Sequence, residues 1–181
     1  YKFAYPPLPW IGARLKYDVR DLNGNKVLAK NLDSILFQRA MVFMGTSDMS
    51  NYTVQADIMT DGNRRMKSDV GVINQRYMVV LKGNANEIEV SSNYERFKRT
   101  VPFTIKAQQW YSMKTQVKVN ADGTGTVLGK VWEKEQPEPE AWTIEAKTDI
   151  AHKQGSPGLF GFALQNQNRV YFDNIKVTPN N

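Results

Sequence analysis

The feature that most constrains the fold of this chain is an alternation of apolar and polar residues with a period of two. In YSMKTQVKV, at 111–119, Tyr111, Met113 and Val117 fall on one face, whereas Ser112 and Lys114 fall on the other. The segment NYTVQADIM, at 51–59, alternates in the same way. Successive side chains of a β-strand point to opposite faces, so this pattern predicts strands that bury one face and expose the other.

Further short strands are predicted along most of the chain. They are ILFQRAMVFM, DVGVI, YMVVLK, NEIEVSS, GTVLGKVW, AWTIEA and VYFDNIKV. Turn-forming stretches separate them, namely LNGN at 22–25, TDGN at 60–63, KGNAN at 82–86 and NADGTG at 120–125. No segment carries a sustained helical period bounded by caps, so little helix is expected. Many short strands with frequent turns predict an antiparallel β-sandwich or barrel.

Length and composition favour one globular domain. The chain has 181 residues, of which 41% are hydrophobic and 23% are charged. The proline-rich stretch PPLPW predicts that residues 1–12 are an extended segment, and residues 13–181 are predicted to form a single sandwich domain. The acidic stretch WEKEQPEPEAW, at 132–142, is interpreted as a long hairpin loop within that domain.

Several function classes are excluded or disfavoured by composition. The chain has no cysteine, which excludes disulfides, thiolate metal sites and cysteine nucleophiles. No apolar run approaches the roughly 18 residues of a membrane span. The net charge is +6, but the basic residues are dispersed and accompany no nucleic-acid-binding motif, so no nucleic-acid partner is expected.

Three segments carry a family resemblance. NYTVQADIM, WYSMKTQV and GSPGLFGFA followed by VYFDNIKV resemble the end of a concanavalin-A-like jelly roll of the laminin-G, glucanase and 3-keto-disaccharide-hydrolase type. More narrowly, three segments resemble the C-terminal domain of bacterial secreted proteins that also contain a quinoprotein-like β-propeller. They are PPLPWIGARLKYDVRDLNGNKVL, the segment from SDMSNYT to LKGN, and WEKEQPEPEAWTIEA followed by GSPGLFGF.

The resemblance implies an all-β, antiparallel jelly-roll sandwich in an extracytoplasmic protein, either periplasmic or secreted. It implies a non-catalytic, lectin-like accessory domain that binds carbohydrate. Two alternatives stay open: a glycoside hydrolase or polysaccharide lyase, and a structural module that docks onto an adjacent β-propeller. Jelly rolls of this type serve all of these roles, so fold alone does not choose among them.

The hydrolase alternative depends on Glu87 and Glu89 in NEIEVSSN, which share one face of a predicted strand. Glucanases of the resembling fold carry a third carboxylate further along this strand, whereas positions 91 and 92 are serines here. A solvated strand face is therefore preferred, and no catalytic residue is assigned. His152 is the only histidine. It cannot form a multi-histidine zinc site, and it is interpreted as a loop residue.

The candidate ligand-binding residues combine planar amides, guanidinium groups and aromatic rings, which suit sugar hydroxyls, sugar carboxylates and sugar faces. They are Arg64, Arg65, Asn74, Gln75, Arg76, Tyr77, Trp132 and Trp142. For the first six, the alternative is that they solvate a turn and a sheet edge. For the two tryptophans, the alternative is that they pack on each other as a cross-strand pair.

The last strand raises one question of metal binding. In VYFDNIKV, Val170 and Phe172 fall on one phase, whereas Ile175 and Val177 fall on the other, which predicts a β-bulge at the Asp-Asn pair. The resemblance implies Asp173 as a possible ligand of a structural Ca²⁺. The alternative is that the Asp173 side chain bonds to the backbone of the neighbouring strand. No other cofactor is predicted, and the two phenylalanines of GLFGF are predicted to face the core together.

Overall fold

The computed structural model describes residues 2–181 and omits the side chains of Lys2, Phe3 and Glu95. Most of this part of the chain is extended. The strands are β1 (Lys2–Ala4), β2 (Tyr17–Leu22), β3 (Asn25–Lys30), β4 (Arg39–Phe43), β5 (Tyr52–Thr60), β6 (Asp69–Asn74), β7 (Tyr77–Lys82), β8 (Glu87–Ser91), β9 (Lys98–Pro102), β10 (Tyr111–Val119), β11 (Gly125–Glu133), β12 (Ile144–Thr148), β13 (Gly158–Phe162) and β14 (Val170–Pro179). Short 3₁₀ helices lie at Ile35–Phe37, Tyr94–Arg96 and Leu164–Asn166.

The strands form two antiparallel sheets, which confirms the predicted jelly-roll sandwich. Sheet A has eight strands in the order β1-β2-β3-β14-β5-β10-β11-β12. Sheet B has six strands in the order β4-β13-β6-β7-β8-β9. Neighbours in each sheet are often distant in sequence, as for β14 between β3 and β5, so long-range pairing defines the architecture. Within residues 2–181, no helix has the length and apolar character needed to cross a bilayer.

The main core lies between the two sheets and is built by the period-two pattern. Val54, Ile58 and Met113 of sheet A are fully buried, and so are Val72 and Val79 of sheet B. Burying a side chain of this size contributes about 1.5–3 kcal/mol. The alternating partners of these residues point away from the core, as Asp57 and Ser112 do on the outer face of sheet A.

A smaller apolar cluster covers the outer face of sheet B. Ile73, Val80 and Phe160 are buried there, and they pack against Met41, Phe43, Met78 and Phe162. The prediction that both phenylalanines of GLFGF face the main core is therefore wrong, although they do share a face. The strand is central in sheet B and apolar on both sides, so its alternation does not distinguish the inner face from the outer one.

The predicted boundaries fail mainly near the N-terminus. Residues 35–44 were expected to form one strand, but Ile35 and Leu36 are 67% and 84% exposed in a 3₁₀ turn, and β4 begins only at Arg39. Residues 1–12 were predicted to be an extended segment. Residue 1 lies outside the described residues, β1 pairs with β2, and Ile11 pairs with Phe43. The segment is thus joined to the sandwich by backbone hydrogen bonds.

Candidate functional site

Three adjoining hollows form a groove at one end of sheet B. The first has a volume of about 360 Å³ and is lined by Tyr77, Ser92, Tyr94, Phe97, Arg99, Lys147, Thr148, Asp149, Ile150 and His152. The second, of about 200 Å³, is lined by Met41, Phe43, Ile73, Arg76, Met78, Ser92 and Asn93. The third, of about 440 Å³, is lined by Ile11, Phe43, Ser47, Arg76, Gln154, Gly155 and Ser156. Ser92 lines both the first hollow and the second, and Phe43 and Arg76 line both the second and the third.

Three connecting segments build this groove. The two-residue turn between β6 and β7 supplies Arg76, and the segment that follows β8 supplies residues 92–97. The end of β12 and the long connection from β12 to β13 supply residues 147–156. The strands β6, β7 and β8 are consecutive hairpin partners in sheet B. The C-terminal ends of β6 and β8 therefore lie on either side of the N-terminal end of β7. The connection from β12 to β13 runs across these ends.

His152 is the central polar residue of the first hollow. Its Nε2 lies 2.6 Å from Ser92 Oγ, and its ring centroid lies 4.8 Å from that of Tyr77 and 5.7 Å from that of Tyr94. Burial lowers the pKa of this imidazole below its ordinary value of 6.5, and the charge of Arg76 lowers it further. The ring is therefore neutral at pH 7 and can accept a proton. His152 is a loop residue, as predicted, but its ring faces a cavity.

A buried tyrosine fixes the turn that carries Arg76. The hydroxyl of Tyr52 accepts a hydrogen bond from the backbone N–H of Gln75 at 3.0 Å and donates one to the carbonyl of Gly155 at 2.6 Å. Burial raises the pKa of Tyr52 to about 12, so the hydroxyl stays protonated. One side chain thus ties the β6–β7 turn to the connection that runs across it.

The predicted cluster at 74–77 is brought together, but its members have different roles. Arg76 is exposed and lines two hollows, and Tyr77 lines the first. Asn74 is buried and donates to the carbonyls of Tyr52 and Thr115, which links the two sheets. Gln75 is also buried: it accepts a hydrogen bond from Asn51 N–H and donates one to His152 O. Asn74 and Gln75 thus position the turn, and neither lines the groove.

The other predicted ligand residues lie elsewhere. Arg64 and Arg65 are exposed in the connection before β6, whereas Arg76 follows β6. A strand of this length separates them by about 17–20 Å. Trp132 lies on the outer face of sheet A opposite Ser112. The ring of Trp142 lies 4.8 Å from Lys130 Nζ, and no ring contact joins the two tryptophans in the described part of the chain.

Asp173 lies at the predicted bulge, where the pairing of β14 with β5 shifts register between Asp173 and Lys176. Its two carboxylate oxygens accept hydrogen bonds from Asn25 Nδ2 and from the backbone N–H of Asn174, both at 2.8 Å. The neighbouring carboxylate of Asp57 is bound by Lys134 Nζ at 2.9 Å. Each oxygen of Asp173 thus accepts one hydrogen bond, and an ammonium group binds the neighbouring carboxylate, while the calcium ion stays a prediction.

Glu87 and Glu89 share the outer face of sheet B, but they do not line the groove. Glu89 pairs with Lys98 at 3.0 Å. The sequence interpretation missed the aromatic and basic residues around His152, including Tyr94, Phe97, Arg99 and Lys147. The only local signal is the mixture of aromatic and basic residues in SSNYERFKR at 91–99.

Comparisons with known proteins show the fold and not the family. No family model matches this sequence, and no curated protein matches it either. A marine alginate lyase from Aplysia kurodai has a similar structure, with 10% identity and a TM-score of 0.58, covering 94% of this chain and 89% of that one. An endo-β-1,4-glucuronan lyase from Trichoderma reesei has 12% identity and a TM-score of 0.52, covering 87% and 83%. An uncharacterised protein from Mycobacterium paratuberculosis has 12% identity and a TM-score of 0.58, covering 96% and 94%.

Proposed function

We propose that this protein binds a polysaccharide in the groove at the end of sheet B. The observation that carries the proposal is the row of three hollows joined by shared lining residues. A row of small hollows suits successive units of a chain better than one compact molecule, and the first hollow has the size of a small-molecule site. Two proteins of similar fold are polysaccharide lyases by name, which agrees with this ligand class.

In this proposal the protein is an accessory binding domain. Tyr94, Phe97 and Tyr77 give the first hollow aromatic walls, while Ser92 and Thr148 supply hydroxyl groups. Such a mixture suits a sugar ring, which has apolar C–H faces and polar edges. The extracytoplasmic location and the adjacent β-propeller, expected from the resemblance, remain parts of the proposal.

Binding is tested by titrating the protein with oligosaccharides by calorimetry and comparing two tyrosine variants. Tyr94 is 46% exposed and lines the groove, whereas Tyr5 is 54% exposed and does not. Tyr94→Ala should weaken binding by about tenfold, the effect of losing one aromatic contact, and Tyr5→Ala should leave it unchanged. If no member of a broad panel of oligosaccharides bound the wild-type protein, the proposal would be wrong and the docking alternative would be favoured.

His152 supports a second candidate function, cleavage of the bound chain by β-elimination. This reaction needs a base that removes the proton at C5 of a sugar carrying a carboxylate on that carbon. A C4=C5 double bond then forms, and the C4–O bond breaks with protonation of the leaving oxygen. A neutral imidazole in the first hollow suits the base. Incubation with alginate or glucuronan should then release products with the ultraviolet absorbance of the new double bond, and His152→Ala should abolish it.

The same assay separates the two functions. Binding without any absorbance change assigns the protein to the accessory class. An absorbance change that survives in His152→Ala would show that another group acts as the base.

A further inference from the structure

We propose that the polysaccharide bound in this groove is acidic, and that Arg76 binds its carboxylate groups. This inference rests on the proposed binding function and specifies its ligand. The evidence is the charge of Arg76, its backbone conformation and its contacts with the surrounding chain.

Arg76 is an uncompensated charge. It is exposed, and no carboxylate among the side chains that the structure describes forms an ion pair with it. It is also the one charged residue that lines the second and third hollows. The other lining residues are apolar or carry neutral polar groups, such as Asn93 and Gln154. A guanidinium group in such walls favours an anion, and its planar donors match a carboxylate in a bidentate pair.

The conformation of Arg76 is unfavourable for a residue with a side chain. Gln75 and Arg76 form the two-residue turn between β6 and β7 with φ values of 45° and 72°. Hairpin turns of this kind favour Asn-Gly, because the left-handed region is unfavourable for a residue with a Cβ atom. The two hydrogen bonds of the Gln75 amide account for the residue at that position.

No comparable structural contact accounts for arginine at position 76. Its side chain makes no hydrogen bond to another described residue, so a glycine there would fold with less strain. Left-handed residues that folding does not require are concentrated at functional sites. The arginine at this strained position therefore points to a ligand.

The surrounding chain holds Arg76 in place. Gly155 packs against its stem so closely that an added Cβ would lie 2.8 Å from Arg76 Cγ. Tyr52 bonds to both sides of this contact. The backbone and the first carbons of this side chain are therefore positioned before binding, which reduces the conformational entropy that is lost when the ligand arrives.

The test compares alginate oligosaccharides with the same oligosaccharides after their carboxyl groups have been reduced to alcohols. The wild-type protein should bind the acidic form at least about tenfold more tightly, since one charge-assisted contact is lost on reduction. Arg76→Gln should reduce this preference and retain binding of the reduced form, while Arg99 and Lys147 in the first hollow still favour the acidic chain. Arg76→Lys should retain a larger part of the preference. Arg64→Gln removes the same charge outside the groove and should behave like the wild-type protein.

Each outcome bears on a separate claim. Equal affinity of the wild-type protein for both forms, or an unchanged preference in Arg76→Gln, would overturn the assignment of Arg76 while leaving polysaccharide binding intact. Failure to bind either form would remove the proposed function and this inference with it. Tighter binding of a single-stranded oligonucleotide than of the acidic sugar would replace the polysaccharide with a nucleic acid. Thermal unfolding of each variant shows that loss of binding is not loss of fold.

Discussion

At the scale of single residues, the groove depends on two polar side chains that influence each other. Arg76 lies close enough to His152 for its charge to lower the pKa of the imidazole, in addition to the effect of burial. Neither residue is paired with an acid in the described part of the chain, although Asp149 lines the same hollow as His152. The single histidine therefore reports the electrostatics of the groove without any label.

His152 should titrate below pH 6.5, and Arg76→Gln should raise its pKa without restoring the ordinary value, because burial remains. One-dimensional proton NMR resolves the titration, since the chain contains one histidine. As the pH falls below 6.5, the unfolded chain binds this proton before the folded one does. The free energy of unfolding should therefore decrease until the folded histidine also titrates. A pKa at or above 6.5 would contradict the burial and the proximity of Arg76.

Arg76→Gly should stabilise the fold and impair the function. Glycine adopts a φ of 72° without strain, so the free energy of unfolding should increase by about 1 kcal/mol. The same variant should show a reduced preference for acidic oligosaccharides. Denaturant unfolding measures the first effect, and calorimetry measures the second. Arg64→Gly, whose residue is not among those with positive φ, should show no gain, and a destabilised Arg76→Gly would contradict the strain argument.

At the scale of elements, the groove exists because the β12–β13 connection lies directly on the β6–β7 turn. A Cβ at Gly155 would lie 2.8 Å from Arg76 Cγ and 3.0 Å from both Arg76 N and Gln75 C. The contact leaves no space for a side chain, and the two segments are further joined through Tyr52. The close approach therefore sets the position of the turn.

Gly155→Ala should move the two segments apart, lower the free energy of unfolding by about 1–3 kcal/mol and weaken oligosaccharide binding. The matched control is Gly123→Ala in the turn between β10 and β11, where φ is 88° but no atom lies within 4 Å. That variant should lose some stability, because alanine is strained at this positive φ, and it should keep its affinity for the oligosaccharide. Normal binding by Gly155→Ala would show that the contact does not position the groove.

The β14 bulge is held by the buried carboxylate of Asp57, which is remote from the groove. Burial alone raises the pKa of Asp57, but hydrogen bonds from Ser112 and Asn174 and the ion pair with Lys134 outweigh it, and the pKa lies below its ordinary value of 3.8. The resulting stabilisation is present above that pH and is lost as the pH falls further.

Asp57→Asn should therefore lower the free energy of unfolding at pH 7. In this variant the free energy of unfolding should also fall less steeply with decreasing pH than in the wild-type protein. Glu140→Gln, at an exposed position, should do neither. Unfolding in denaturant at several pH values measures both effects. An unchanged acid dependence in Asp57→Asn would contradict the role given to this carboxylate.

At the scale of the whole molecule, local patterns predicted the sandwich better than they predicted the site. Alternation identified β5 and β10, and the phase change at Asp173 identified the bulge, because both patterns are local. The strands β2, β3 and β9 were missed, although the turn LNGN marked the β2–β3 hairpin. In β2 and β9 most residues are polar or exposed, and β3 buries Val27, Leu28 and Ala29 in succession, so period two is weak in all three strands.

The same reasoning explains why the site was only partly predicted. The composition of one short segment predicted Arg76 and Tyr77 as ligand-binding residues. Residues 92–97 and 147–156 join them only through tertiary pairing, which one sequence does not specify. The sequence predicted no functional role for His152, because its partner Ser92 lies 60 positions away along the chain.

The central claim is that a polysaccharide binds in the groove at the end of sheet B. Amide chemical-shift mapping by NMR, during titration with alginate oligosaccharides, tests it most directly. The amide shifts should be concentrated at residues 75–77, 92–97 and 147–156 and should saturate as the oligosaccharide is added. Shifts concentrated instead on the outer face of sheet A around Trp132 and Trp142, or no shifts with acidic and neutral oligosaccharides alike, would contradict it.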